Sequence, residues 1–313
     1  MRIVVFGPQR RVGAWDGDRI VDLNRADSNI PADLAAFIIG GSMVLDQAHG
    51  ALERARGDPS LSQSVDDVQL HAPATYRPRI ACAGGNYALH AAGAQSARTG
   101  QPADVDEIYR QSRASDPWGF WKVVDPLAGH GQDVIYPARS THFDYEGEVA
   151  VVLGRLARDV SAAQADEMIW GVTLLNDWSI RNDMGPQRPL NFNLPKNFDT
   201  SVSLGPSIVV GELDPQDVEV EVLVNGATRQ AYNSRDMTFS FAEFIEYLSR
   251  DFTFQPGDII AGGTGAGTAM DTTRPNADGS TPTDLFLKVG DTIDVCSSRI
   301  GTLRNRIVAR GAR

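Results

Sequence analysis

Two apolar strands that end in carboxylates constrain this chain more than any other feature. The first is FDYEGEVAVVLG, residues 143–154. Side chains alternate faces along a strand, so Asp144, Glu146 and Glu148 point the same way. Residues i and i+2 lie about 6.5–7 Å apart at Cα, close enough for two carboxylates to converge on one cation. Without a cation they repel one another in a partly desolvated site. Gly147 sits between them and lets something approach the backbone closely. Taken alone, the spacing also fits a half-exposed strand with a solvated acidic face. The second strand, GVTLLND over 171–177, shifts that balance. It is almost wholly apolar until Asp177, where a carboxylate is costly unless paired or bound to metal. An oxygen-only set of acids suits Mg²⁺ or Mn²⁺, with Ca²⁺ a further candidate, better than zinc.

The remaining pattern is mainly β. RIVVF, VGAW and DRIVDL read as short strands with Gly-Pro and Asp-Gly turns between them. A helical stretch follows over about 32–55, then a polar segment, GDPSLSQSVDDVQ, that reads as a linker. The expected division is a small N-terminal α+β domain over 1–70 and a catalytic domain over 71–313. In the second part, RIACAGG is a strand, and 87–116 is helical but broken at Gly100-Gln101-Pro102, a candidate lid at about 91–120. Ser161 and Gln164 form a capping box. VEVEVLVNGATRQAY is a hairpin turning on Asn-Gly. Thr238 to Arg250 is an amphipathic helix. Strands outnumber helices and do not alternate with them, which disfavours a doubly wound parallel sheet.

Composition excludes some classes of function. With a net charge of −11, the chain repels a phosphate backbone on average, so no nucleic-acid partner is expected. No apolar run reaches the length of a membrane span, and the N-terminus lacks a signal-peptide layout, so the expected location is cytoplasmic. The two cysteines, Cys82 and Cys296, read as reduced thiols, and no CxxC or HExxH motif occurs. Of 29 basic residues only Lys122, Lys196 and Lys288 are lysines, which draws attention to each, because lysine changes protonation state and arginine effectively does not. GGTGAG fails the spacing of a dinucleotide loop, and no GxSxG elbow is present. Trp118, Phe120 and Trp121 precede Lys122 as an aromatic cluster, read as core or as a substrate wall.

Several blocks in order, over about 78–308, resemble the fumarylacetoacetate hydrolase family. They are GGNYALH, FDYEGEVAVVLGR, NDWSIRND, LPKNFDTSVSLGPSIV, FQPGDIIAGGTGAG and LKVGDTIDVCSSRIGTLRNRIV. The resemblance implies a mixed β-roll or sandwich catalytic domain behind a smaller N-terminal one, and a homodimer. By motif position it implies Glu146, Glu148 and Asp177 as metal ligands and Lys196 as the group that stabilises negative charge developing on the substrate. It implies His90 as the base that activates water. Thr264 would hold the substrate carboxylate or carbonyl, and Tyr87 and Arg181 are further substrate-binding candidates.

Two departures stand out. Relatives often carry an acid three residues after the histidine to orient it, and here that position is Gly93. Glu107 or Asp106 from the lid then becomes the expected orienting group, or else water activation is altered. GGTGAG also lacks the proline usual after Gly-Thr-Gly. The expected activity is metal-dependent hydrolysis of a C–C bond in a β-diketo acid such as an acylpyruvate, through an enolate held at the metal. The alternative is a 2-keto acid lyase, a decarboxylase or dehydratase, which needs no attacking water.

Overall fold

The computed structural model describes residues 1–182, 192–211 and 213–311. Asp183, the last residue of the NDWSIRND block, lies outside them.

Among the described residues the chain forms two large sheets and a short two-stranded one. The larger sheet runs, edge to edge, through strands Ser62–Ser64, Arg19–Asp22, Arg11–Asp16, Arg2–Phe6, Val202–Val209, Ile169–Asp177, Gly147–Leu153, Ile259–Thr264, Ile80–Ala83 and Gly119–Lys122. Leu70–His71 pairs beside Arg2–Phe6. The second sheet orders Ala227–Asn233, Glu219–Val224, Thr292–Ser297, Gly301–Val308 and Asp133–Ile135. Pairing is antiparallel except where Ile259–Thr264 meets Ile80–Ala83 and Gly301–Val308 meets Asp133–Ile135. This is the mainly β, mixed architecture expected from the strand-rich pattern.

Alternation along the central strand explains the layering. Val149, Val151 and Leu153 join a core with Val222, Val295 and Ile293 of the second sheet. Ala150 and Val152 face the other way, into a core with Leu175, Ile208 and the helices Leu34–Ile39 and Gly41–Gly57, through Phe37, Val44, Ala48 and Ala51. Gly147 is required where the sheets meet: a Cβ there would lie 2.4 Å from Val222 Cγ2 and 3.1 Å from Val295 Cγ1.

Local signals act as their chemistry dictates. Asn225 and Gly226 turn the hairpin with φ of 52° and 80°, the left-handed pair that matches strand twist. Capping boxes open Ala162–Ala165 and Phe241–Ser249. The segment read as a candidate lid forms two helices, Ala88–Thr99 and Val105–Arg113, and Gly100 ends the first in the left-handed conformation at φ 71°. The segment read as a linker is ordered: Ser62–Ser64 pairs with Arg19–Asp22 and extends the sheet edge. Its polarity reflects an edge strand half open to water rather than a tether. No helix among the described residues is long and apolar enough to cross a membrane.

Candidate active site

The sheet face that carries Ala150, Val152 and Leu175 into the core carries Glu148 and Asp177 at its upper end. Register places Glu148 opposite Leu175 on one side and Thr264 on the other. Glu146 precedes the strand and accepts the Asp177 N–H through its carbonyl oxygen at 2.9 Å. Glu146, Glu148 and Asp177 are all buried, and each offers a carboxylate oxygen within 4.8 Å of the others. The solvated-face reading of the first strand therefore fails, Asp144 included, since it has no exposed surface.

Cations surround this cluster unevenly. Lys196 Nζ donates to Glu146 Oε2 and, at 2.8 Å, to Asp177 Oδ2. Lys122, also buried, donates to Asp177 Oδ1 and, at 2.7 Å, to Ser201 O. Arg181 pairs with Glu146 Oε1 and, at 3.3 Å, with Asp144 Oδ2. Burial pushes the Glu146 carboxyl up, but Arg181, Lys196 and His90 outweigh it and hold the group below the usual carboxylate range. Glu148 has no such partner. Burial raises it well above that range, Asp177 and Glu146 raise it further, and Lys196 and the Gly263 N–H at 3.0 Å offset only part. A hard dication among three carboxylates would neutralise that excess, so the donor set fits Mg²⁺ or Mn²⁺.

The stretch read as one strand is two: Asp144 lies in Phe143–Asp144, which pairs with Ser179–Ile180 in the short sheet, and it is treated differently from Glu146 and Glu148. It accepts the N–H groups of Ala269 at 2.9 Å and Met270 at 3.1 Å, at the start of the short helix Ala269–Thr272. Burial nevertheless raises its carboxyl to about 6 against the opposing effect of Arg181. That helix carries Asp271, whose Oδ2 lies 2.8 Å from His90 Nδ1. The Gly267 N–H also donates to Asp271, at 3.0 and 3.1 Å to its two oxygens. The Asp271 carboxylate takes the Nδ1 side of the ring and turns Nε2 toward Glu146, 3.9 Å from its Oε1.

This corrects the expectation for His90. Glu107 is bound up with Gln111 at 2.6 Å and Arg110 at 2.5 Å on the helix Val105–Arg113, and Asp106 is exposed. The orienting acid is Asp271, and Gly93 is what makes room for it: a Cβ at 93 would lie 2.7 Å from Asp271 Cβ. Nothing in the four-residue helix Ala269–Thr272 signalled this; a steric hint existed only in the glycine. Tyr87 is buried with a T-shaped contact to Tyr232 at 5.0 Å, and its Oη has no hydrogen-bond partner among the described residues. Thr264 Oγ1 donates to Gly147 O at 2.8 Å and accepts from Gln230 Nε2 at 2.8 Å, so its hydroxyl is already engaged. Cys82 is buried, Cys296 is half-buried, and both are free thiols.

Residues 79–308 match the model of the fumarylacetoacetate hydrolase C-terminal domain. The chain belongs to the fumarylacetoacetate hydrolase family. It is 33% identical over 307 residues to the oxaloacetate tautomerase YisK of Bacillus subtilis, covering 93% of this chain and 94% of that one. The fumarylacetoacetate hydrolase of Exiguobacterium antarcticum superposes with a TM-score of 0.74 at 26% identity, covering 99% of this chain and 100% of the other. A maleylpyruvate hydrolase from Sphingobium sp. SYK-6, solved with manganese(II) and pyruvate, shares the fold with a TM-score of 0.73 at 24% identity and 99% coverage of both chains. Family relatives thus include hydrolases and tautomerases, and this chain has a buried acidic triad able to hold a divalent ion.

Proposed function

We propose that this member of the family is a divalent-metal-dependent hydrolase that cleaves a C–C bond in a β-diketo acid of the acylpyruvate type. The observation that carries the reading is the His90–Asp271 pair at 2.8 Å, set beside the three acids. Mg²⁺ or Mn²⁺ held by Glu146, Glu148 and Asp177 would supply Lewis acidity at the keto oxygen. His90 Nε2 takes a proton from water, and the water oxygen bonds to the distal carbonyl carbon. The C–C bond then breaks, its electron pair becomes the enolate of pyruvate, and that enolate recovers the proton. Lys196 stabilises the enolate charge. Tyr87, with its unpartnered Oη, is the available donor to the substrate. Thr264 and Arg181 shape the site through Gly147 and Glu146.

The acid missing at Gly93 favoured a decarboxylase or dehydratase, and Asp271 beside His90 weakens that support. A second reading, tautomerisation of a 2-keto acid, is favoured by the 33% identity to YisK. The same pair would take a proton from carbon and return one to oxygen, or the reverse, breaking a C–H or O–H bond but no C–C bond. Incubation with Mn²⁺ and either an acylpyruvate or enol-oxaloacetate, followed by NMR, separates these. Release of pyruvate and a carboxylic acid, abolished by chelation, supports the hydrolase. Accelerated enol loss with no acylpyruvate cleavage replaces it with the tautomerase. The homodimer implied by the resemblance belongs to this proposal and is read by sedimentation velocity.

A further inference from the structure

The strand Gly119–Lys122 borders the site, and its alternation sorts its side chains into two roles. Trp121 points to one face and packs on Phe252 at 4.5 Å and Phe254 at 6.1 Å, as core. Lys122 and Phe120 take the opposite face, and Trp118, just before the strand, continues their parity. Lys122 is buried against Asp177. Phe120 is partly buried, and its ring centroid is 5.1 Å from Lys196 Nζ. Trp118 is 45% exposed. The three therefore climb from the acids to solvent.

Two further contacts fix this ramp in place. Phe192 stacks on Phe120 at 5.4 Å and 21°, and meets Trp118 edge-on at 5.0 Å. The Trp118 indole lies on the backbone of Gly84 and Gly85, where a Cβ on Gly84 would sit 2.3 Å from the ring. The Gly84 N–H donates to Trp118 O at 2.9 Å, so the residue is held on both sides. Gly84 and Gly85 lead directly into Tyr87 and His90. An aromatic surface that starts at Lys196 and opens to water has the form of a binding wall rather than of core.

Resting on the reading of the acids and Lys196 as a 2-keto acid site, we propose that Trp118, Phe120 and Phe192 set its specificity. They would receive an aromatic or bulky apolar group at the distal end of the substrate. A second carboxylate there would meet ring faces, which carry negative potential, and would lose its hydration. The substrate class is thus an aroyl- or long-chain acyl-substituted keto acid in preference to a short dicarboxylic one.

Binding, rather than turnover, tests this. Oxamate and N-benzyloxamate are unreactive 2-keto acid mimics that differ only in an aromatic tail. Both are titrated calorimetrically into Mn²⁺-loaded protein, parent and Trp118→Ala. N-benzyloxamate should bind the parent about tenfold more tightly than oxamate, as expected for one added ring on an aromatic surface. Trp118→Ala should lose most of that gain while binding oxamate as the parent does, which also shows that the variant is folded. Equal affinity of the two mimics for the parent, or a gain that survives in Trp118→Ala, overturns the wall and leaves the keto acid site standing. Binding of neither mimic to the Mn²⁺-loaded parent overturns both.

Discussion

The first seventy residues and the acid cluster bury side chains by opposite rules. In the N-terminal region the buried set is Ile3, Val5, Val12, Ile20, Leu23, Phe37, Val44 and their apolar neighbours, and Asp22 is its one buried charge, paired with Arg11 at 2.8 and 2.9 Å. Around the sheet's upper end, Asp144, Glu146, Glu148, Asp177, Lys122 and Lys196 are buried together. The first region draws its stability from area removed from water, each residue acting nearly on its own. In the second, every charge depends on another, and taking one partner away leaves an uncompensated ion. Glu148, without a cation of its own, is where that balance stays open.

Glu148→Gln should have the largest effect. We expect turnover to vanish and Mn²⁺ affinity to fall by more than the ~100-fold that loss of an outer-shell partner costs. The metal-free variant should melt no lower than the parent, because an uncompensated buried carboxylate is removed. Parent-like Mn²⁺ affinity by titration calorimetry would reject Glu148 as a ligand. Asp271→Asn should lower kcat by about 10²–10⁴-fold, the range for a disabled general base, with Mn²⁺ affinity within a few-fold. Glu107→Gln, assayed in parallel, should match the parent; if the two variants trade results, Glu107 orients His90 after all.

Phe37→Ala probes the other region. Phe37 has no exposed surface and meets Trp170 edge-on at 6.1 Å. Its truncation should cost about 3–5 kcal/mol in urea unfolding and leave Mn²⁺ affinity unchanged. A weakened metal site in that variant would erase the contrast drawn above. Excess Mn²⁺ should act in the opposite sense, stabilising the parent by about 2.7 kcal/mol at 100 times Kd and Glu148→Gln hardly at all.

The smallest effect concerns His71, which ties the loop at Gly7 to Gln132. Its Nε2 is 2.9 Å from Gly7 O, and Gln132 Nε2 donates to its Nδ1 at 3.3 Å. Burial is the main cause that holds its pKa below the usual histidine value, with Arg10 adding to it against the Gly7 hydrogen bond. The unfolded chain therefore takes up a proton before the folded one does. Its contribution to stability is full above about pH 6.5 and declines as pH falls through that value toward the lower folded one. Urea midpoints of parent and His71→Gln between pH 8 and 5.5 should converge toward acid; parallel curves would remove His71 from the account.

Much of this could be read from the chain because the controlling physics is local. Period-two alternation places Glu148, Asn225-Gly226 dictates its hairpin, and the Ser161–Gln164 box starts its helix. Asp177 was legible because a carboxylate ending an apolar strand needs a reason. Asp271 was not: it pairs with a histidine 181 residues away, from a helix too short to show a period. The ordered segment at 57–69 was missed because edge strands, like linkers, are polar. The aromatic cluster was visible, yet which ring serves core and which serves the site depends on strand parity, and no spacing alone gives that.

The fit between Gly93 and Asp271 couples two positions far apart in the chain. Because a Cβ at 93 would lie 2.7 Å from the Asp271 Cβ, the two positions cannot both be filled without the structure giving way. The glycine is thus as much a part of what holds His90 as the acid itself, a support that acts by leaving space rather than by making a contact.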